Sequence, residues 1–219
     1  MRTERDTSRG RCPALARPSR PRRLSGDTGA IMAEAALLTP FFMTLLFGMI
    51  EFGGAFRDYL TLSNATIAGA RTASILATQV DADWYVIQSV KNAANAMPLN
   101  EIQAIVVYKA TVNATSPASV SASCLTVGVS GVCNYYSGND LTDTSEGTPG
   151  NNKWTNCTGS EASWCPSTRN YALTGPKSPP DYIGVWVKIN HRWLTGLFGS
   201  QISMTNNTVT QIEPQKLSS

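Results

Sequence analysis

The sequence predicts an α+β fold, in which a long N-terminal transmembrane helix precedes a small antiparallel-sheet domain with a disulfide-pinned insertion. Three observations predict it. Residues 35–50 carry no charged side chain, later segments alternate apolar and polar residues as strands do, and four of the five cysteines fall within residues 113–180. A chain of 219 residues has room for one ordinary domain, or for a small domain with a membrane segment.

Residues 1–29 form a basic leader. They hold eight Arg against Glu4, Asp6 and Asp27, a net charge of +5, while the rest of the chain carries −2. An Arg-rich arm can bind nucleic acid. A basic flank directly before an apolar run instead keeps that end of the chain in the cytoplasm. We therefore expect a cytoplasmic N-terminus, an extracytoplasmic C-terminal domain and no nucleic-acid partner.

The next segment, residues 30–56, is expected to be the transmembrane helix. Its 27 residues would extend about 40 Å as a helix, enough to cross a hydrocarbon core of about 30 Å. The segment also contains two carboxylates, Glu34 and Glu51. Charged groups are disfavoured inside a membrane unless a partner satisfies them, so each carboxylate requires an explanation.

The pattern around these carboxylates resembles the opening of the TadE-like family, the minor pilin-like proteins of tight-adherence pilus systems. Gly29, Glu34, Pro40 and the run Phe47-Gly48-x-x-Glu51-Phe52-Gly53 take the family's places in order. The segment "LSNATIAGARTAS", residues 62–74, resembles the continuation of the same pattern. The resemblance favours a pilin-like leading helix over a cleaved secretory signal or a plain signal anchor.

This resemblance implies a processing site and an assembly role. A prepilin peptidase would cut between Gly29 and Ala30, which makes Glu34 the fifth residue of the mature chain. Glu34 would then meet the freed amino terminus of a neighbouring subunit. Glu51, the second candidate assembly residue, would lie at the opposite boundary, where it could reach headgroups or water. Ala35 stands where the family commonly has an aromatic residue.

Residues 57–112 are expected to form a helical scaffold and a first strand. An apolar stripe within residues 62–80, with small residues at its centre, favours continuation of the first helix to Val80. The stripe is expected to pack on its own domain rather than on another subunit. A second helix, capped by Asp81 or Asp83, should end at Pro98. The stripe of the first helix consists of Leu62, Ala65, Gly69, Ala73, Leu76 and Val80.

Three segments have the composition of strands: Glu101–Val112, Asp181–Trp193 and Gln201–Ile212. The second is the clearest, because β-branched apolar residues occupy every second position: Ile183, Val185, Val187 and Ile189. The apolar stretch "LTGLFG" between the last two strands is expected to form a hairpin loop. Residues 181–219 would therefore complete the sheet.

The polar insertion, residues 113–180, holds Cys124, Cys133, Cys157 and Cys165. Outside the cytoplasm, four such cysteines indicate two disulfides, for which three pairings are possible. We expect Cys124–Cys133 and Cys157–Cys165, since each closes a short loop. Zinc is disfavoured, because the spacings are longer than those of zinc sites. Cys12, in the leader, should stay reduced.

No catalytic motif is present in the sequence, and its one histidine, His191, lies inside a predicted strand. The sequence therefore predicts a non-enzymatic pilin-like subunit, or pseudopilin, without cofactor or metal, that assembles a tight-adherence type pilus or secretion system. Its partners would be other pilin-like subunits, the prepilin peptidase, the membrane platform and membrane lipid. It would be a single-pass protein of the cell membrane, or extracellular within a pilus. The alternatives are a secreted or membrane-anchored extracellular binding protein and, more distantly, an anchored hydrolase.

Overall fold

A computed structural model describes residues 27–111, 119–142, 157, 159, 161–173 and 179–214. The basic leader up to residue 26, with Cys12, lies outside the described residues, as do several stretches of the insertion. The chain divides into two compact units, residues 1–45 and residues 46–219. The first unit is described from residue 27 and consists there of helix alone.

The first helix, α1, extends over Asp27–Leu76 with Pro40 inside it. Thr39 precedes the proline and Thr44 lies one turn after it. Their hydroxyls donate within the helix, Thr39 Oγ1 to Ala35 O at 2.6 Å and Thr44 Oγ1 to Pro40 O at 2.8 Å. Hydroxyls satisfied in this way are compatible with an apolar environment. The helix ends at Leu76, short of the Val80 that the apolar stripe suggested.

The apolar part of α1 is compatible with a membrane anchor. Every side chain described between residues 29 and 45 is exposed. By length and composition, Gly29–Leu76 is apolar enough to cross a membrane, and it is the one helix of this kind within the described residues. A surface of this composition in water would be unfavourable, whereas in hydrocarbon it is the expected one.

Within the described residues, four strands form one antiparallel sheet in the order β2-β1-β3-β4. They are β1 (Ile102–Ala110), β2 (Cys133–Ser137), β3 (Tyr182–Arg192) and β4 (Gln201–Gln211). The three predicted strands correspond to β1, β3 and β4, and the α+β class with an antiparallel sheet is confirmed. The fourth strand, β2, was missed, because its five residues lie within the polar insertion.

The two faces of the sheet are covered differently. Helices α1 and α2 (Ala82–Ala93) lie on the face that carries the alternating residues Ile183, Val185, Val187 and Ile189. The opposite face carries Tyr108 and Trp186 and packs against the insertion around Cys124 and Cys133. The insertion therefore supplies a strand and a covering layer, and part of it is integral to the domain.

The small-residue stripe of α1 faces the core of its own domain. Leu62, Ala65 and Ala73 are buried in the same apolar cluster as Val90 of α2 and Val185 of β3. At the centre of the stripe, a Cβ added to Gly69 would lie 2.6 Å from Val90 Cγ2 and 3.2 Å from Val185 Cγ1. The glycine is needed for this close approach, which confirms intramolecular packing of the stripe.

We expect Gly69→Ala to destabilise the domain. The added methyl group overlaps two β-branched side chains, and overpacking of this kind costs about 1–3 kcal/mol, against a gain of about 1 kcal/mol in helix propensity. Denaturant unfolding of the detergent-solubilised protein measures the difference. Gly53→Ala is the matched control, because a Cβ there meets no atom within 4 Å. A Gly69→Ala variant as stable as the control would contradict the packing argument.

Candidate functional site

Glu51 holds the loop between β3 and β4 against α1. Its carboxylate accepts hydrogen bonds from the backbone N–H of Leu194 at 2.9 Å, from the backbone N–H of Thr195, and from Thr195 Oγ1 at 2.7 Å. The side chain is only 1% exposed. The expectation that Glu51 reaches headgroups or water is therefore wrong: hydrogen-bond donors of this chain enclose it.

An aromatic cluster reinforces this junction. The rings of Phe52 and Phe198 lie 4.9 Å apart, and Trp193 lies 5.8 Å from Phe52 and 5.7 Å from Phe198, measured between centroids. The loop is thus fixed to the helix by polar contacts at Glu51 and by ring packing one residue later. Gly196 and Gly199 have φ values of +72° and +103°, which allow the tight reversal of the chain between the strands.

The surface around the junction is strongly apolar. At the loop, Leu194 is 81% exposed, Leu197 54% and Phe198 44%. Beside it an open apolar groove of about 470 Å³ lies along α1 and β4. The groove is lined by Phe52, Ala55, Phe56, Tyr59, Trp193, Ile202 and Met204.

A second polar cluster lies one to two turns further along α1. His191 Nδ1 is 2.6 Å from Asp58 Oδ2, and Arg57 pairs with Asp58 Oδ1 at 2.9 Å. Asp58, Glu101 and His191 each offer one ligand atom within 4.8 Å of the others, so they could hold a proton or a metal ion. Burial raises the pKa of the Glu101 carboxyl, and the charge of Asp58 adds to the rise.

His191 is thus a buried partner of α1. Nε2 of His191 and Oε2 of Glu101 have no hydrogen-bond partner in the described part of the chain. The Asp58 carboxylate thus has two contacts within the chain, one from Arg57 and one from His191.

A buried network ties the insertion to α2. Arg169 and Asp83 form an ion pair at 2.8 Å with both side chains fully buried. Asp83 Oδ2 also accepts from Asn134 Nδ2 and from the hydroxyl of Tyr136, each at 2.8 Å. Glu161 Oε1 accepts from the backbone N–H of Asp83 at 3.1 Å. This network was not predicted, because isolated charges within a Ser/Thr/Asn-rich stretch give no periodic signal.

The disulfides complete the attachment of the insertion. Cys124 pairs with Cys133, and Cys157 pairs with Cys165, which confirms the expected pairing. Asp140 accepts from the N–H and hydroxyl of Ser137 at the start of the short helix α3 (Gly138–Thr142).

The residues predicted for processing and assembly fall in different parts of the molecule. Gly29, Ala30 and Glu34 are exposed on α1 within the first unit, and Glu51 is buried in the second. A motif search could place all four on one helix. It could not find the partners of Glu51, which are backbone amides of residues 194 and 195.

Comparison with protein families finds a match at the first helix. The family model described as TadE-like protein matches residues 29–71, so the resemblance is confirmed over that segment. This is a pilus-related family, and the match indicates a pilus-assembly related protein. No curated protein and no solved structure matches the chain significantly.

Removal of the Glu51 carboxylate should release the loop. Hydrogen bonds to a charged group contribute about 1.5–3 kcal/mol each, so in Glu51→Ala the amides of Leu194 and Thr195 should exchange with solvent roughly 10- to 100-fold faster. Hydrogen–deuterium exchange on the intact protein measures this. Glu34→Ala, which removes an exposed carboxylate of the same helix, is the control. Equal exchange in the two variants would mean that Glu51 does not hold the loop.

The protonation of Glu161 in the folded state should make the stability of the protein depend on pH. Burial raises the pKa of its carboxyl from 4.5 to about 9, and the charge of Asp83 adds to the rise. The folded state therefore retains a proton that the unfolded chain loses, so stability should fall as pH rises from about 5 to about 9, by at most about 1.4 kcal/mol per pH unit.

Unfolding of the detergent-solubilised protein at several pH values tests this expectation. Glu161→Gln keeps an acceptor for the Asp83 N–H but cannot lose a proton, so its stability should decline less over that range. Glu213→Gln alters an exposed carboxylate and should behave as the wild type. A wild-type protein equally stable at pH 5 and pH 9 would contradict the protonation of Glu161.

Proposed function

We propose that this chain is a non-enzymatic pilin-like subunit, or pseudopilin, that takes part in the assembly of a tight-adherence type pilus or secretion system. One observation carries the proposal: the TadE-like match covers residues 29–71, and these residues form one helix whose first part is exposed and apolar. The partners would be other pilin-like subunits, the prepilin peptidase and the membrane platform.

The contacts of Glu51 support a retained anchor. A secretory signal cleaved near the end of the apolar run, at Gly53–Ala55, would remove Glu51 and Phe52. The loop between β3 and β4 would then lose its hydrogen-bond acceptor and a ring of its aromatic cluster. We therefore propose that residues 30–56 remain attached to the head as a single membrane-spanning helix. The N-terminus would be cytoplasmic and the head extracytoplasmic, or extracellular once in a pilus.

The two carboxylates would contribute to assembly in different ways. Glu34 is exposed on the apolar helix, so it is available to a cation on a neighbouring subunit. Cleavage between Gly29 and Ala30 would supply such a cation as a free amino terminus. Glu51 has three donors within its own chain and would act indirectly, by fixing the head to the helix.

The alternative is an extracellular binding protein on a signal-anchor helix. Its function would depend on the head and the insertion, and Glu34 would have no special role. The two proposals therefore predict different consequences for changes at the start of the helix.

We expect Glu34→Gln to be inserted and processed normally but to fail to co-purify with the other pilus components. The substitution keeps shape and hydrogen bonding and removes only the charge. Gly29→Ala should block the peptidase, so that the intact mass of the purified protein includes residues 1–29. Both measurements use membranes of cells that produce the complete pilus machinery.

Two controls make the result interpretable. Met32→Leu changes an exposed neighbour of Glu34 without affecting charge, and Gly53→Ala changes a glycine of the same helix away from the proposed cleavage site. Each should resemble the wild type. If Glu34→Gln co-purifies as well as Met32→Leu does, the assembly role is wrong. A mature wild-type protein that still carries the leader refutes cleavage.

A further inference from the structure

The loop between β3 and β4 is unusually apolar for so exposed a segment. Leu194, Leu197 and Phe198 present their side chains outward. Polar residues would normally occupy the tip of a hairpin that faces water. The loop is also firmly attached, through Glu51 and through the rings of Phe52 and Trp193. Its apolar exposure is therefore a fixed property of the fold.

The loop lies beside the last turns of the proposed membrane span. The position that a Cβ of Gly48 would take is 3.9 Å from Phe198 Cζ, and Glu51 bonds the amides of Leu194 and Thr195. These positions are five to eight residues before Phe56, where the apolar segment ends. At 1.5 Å per residue, the contacts fall about 8–12 Å inside that end of the span.

The surroundings change from apolar to polar in the direction of the head. At the level of the loop, Met49, Ile50 and Phe52 of α1 are exposed. One to two turns later the exposed groups include Arg57 and Tyr59, and Arg192 is exposed at the end of β3. Aromatic and basic side chains at this level are typical of the membrane–water interface.

We infer that the loop between β3 and β4 inserts into the extracytoplasmic leaflet and that its occupant is phospholipid acyl chain. This inference rests on the membrane anchorage proposed above. Continuity of the loop's apolar surface with that of the span favours lipid over a protein partner. Glu51 is the positioning residue, since it satisfies two loop amides that would be costly to bury in hydrocarbon without an acceptor. The subunit would therefore be held at the membrane by a helix and a loop.

Depth-dependent quenching in vesicles tests the inference. The full-length protein with Cys12→Ser is given one new cysteine, Leu197→Cys, and labelled with an environment-sensitive fluorophore. It is then reconstituted in phosphatidylcholine–phosphatidylglycerol vesicles with or without acyl-brominated lipid. We expect the label at position 197 to lose most of its emission in brominated vesicles and to resist quenching by aqueous iodide.

Two further label positions separate the possible failures. Val127→Cys labels an exposed apolar residue of the insertion and should be quenched by iodide only. Leu45→Cys labels the proposed span and should be quenched by brominated lipid. If position 45 responds to lipid and position 197 does not, the loop inference is wrong while the anchor stands. If neither responds, the anchorage itself is wrong.

One more outcome identifies a different occupant. The label at position 197 would lie against a second subunit if neither iodide nor brominated lipid quenches it in concentrated samples. Dilution of the protein in lipid should then make the label accessible to a quencher. That result would overturn the lipid assignment. Because Leu197 is 54% exposed and outside the core, the cysteine variant should fold, and its thermal unfolding should match that of the parent.

Discussion

The bond between the Glu51 carboxylate and the loop residues 194 and 195 joins two parts of the chain that lie 143 and 144 residues apart in sequence. Both the loop and the carboxylate require these hydrogen bonds. The loop amides need an acceptor because apolar side chains surround them, and a buried carboxylate needs donors. Two further polar contacts join α1 to the β3–β4 hairpin. Asp58 contacts His191, and near the end of α1 Ser74 Oγ donates to Gln211 O at 2.6 Å. Polar contacts at three levels thus fix the helix along the β3–β4 hairpin.

Sequence reasoning succeeded wherever the signal was local. Uninterrupted apolarity indicated α1, and alternation indicated β3, because each pattern reflects the environment of a single element. It failed for Glu51, since a carboxylate at the end of an apolar helix is ordinarily solvated. Only the return of a loop from residue 194 shows that it is enclosed. It also failed for β2 and Arg169, where a short strand and one buried cation in a polar stretch have no periodicity.

The insertion illustrates how a polar segment becomes part of a core. Its described parts contribute Tyr136, Leu141 and Trp164 to the apolar core, and covalent and polar contacts fix them there. Two disulfides restrict the chain, and Arg169 and Glu161 contact Asp83 of α2 in a site closed to solvent. The ion pair of Arg169 and Asp83 is stable only when both charges are present, because removal of one leaves the other buried and uncompensated. The network therefore specifies the position of the insertion more than it adds net stability.

The packing of α1 also restricts which surfaces remain for other molecules. The small residues around Gly69 would suit a contact between helices of two subunits, but Val90 and Val185 already occupy that space. Glu51 is enclosed by donors of its own chain and is only 1% exposed. The apolar first part of α1 is exposed at every residue from 29 to 45, and its carboxylate is Glu34. If subunits of this kind meet through their helices, that part of the helix offers both an exposed apolar surface and an exposed carboxylate for such a contact.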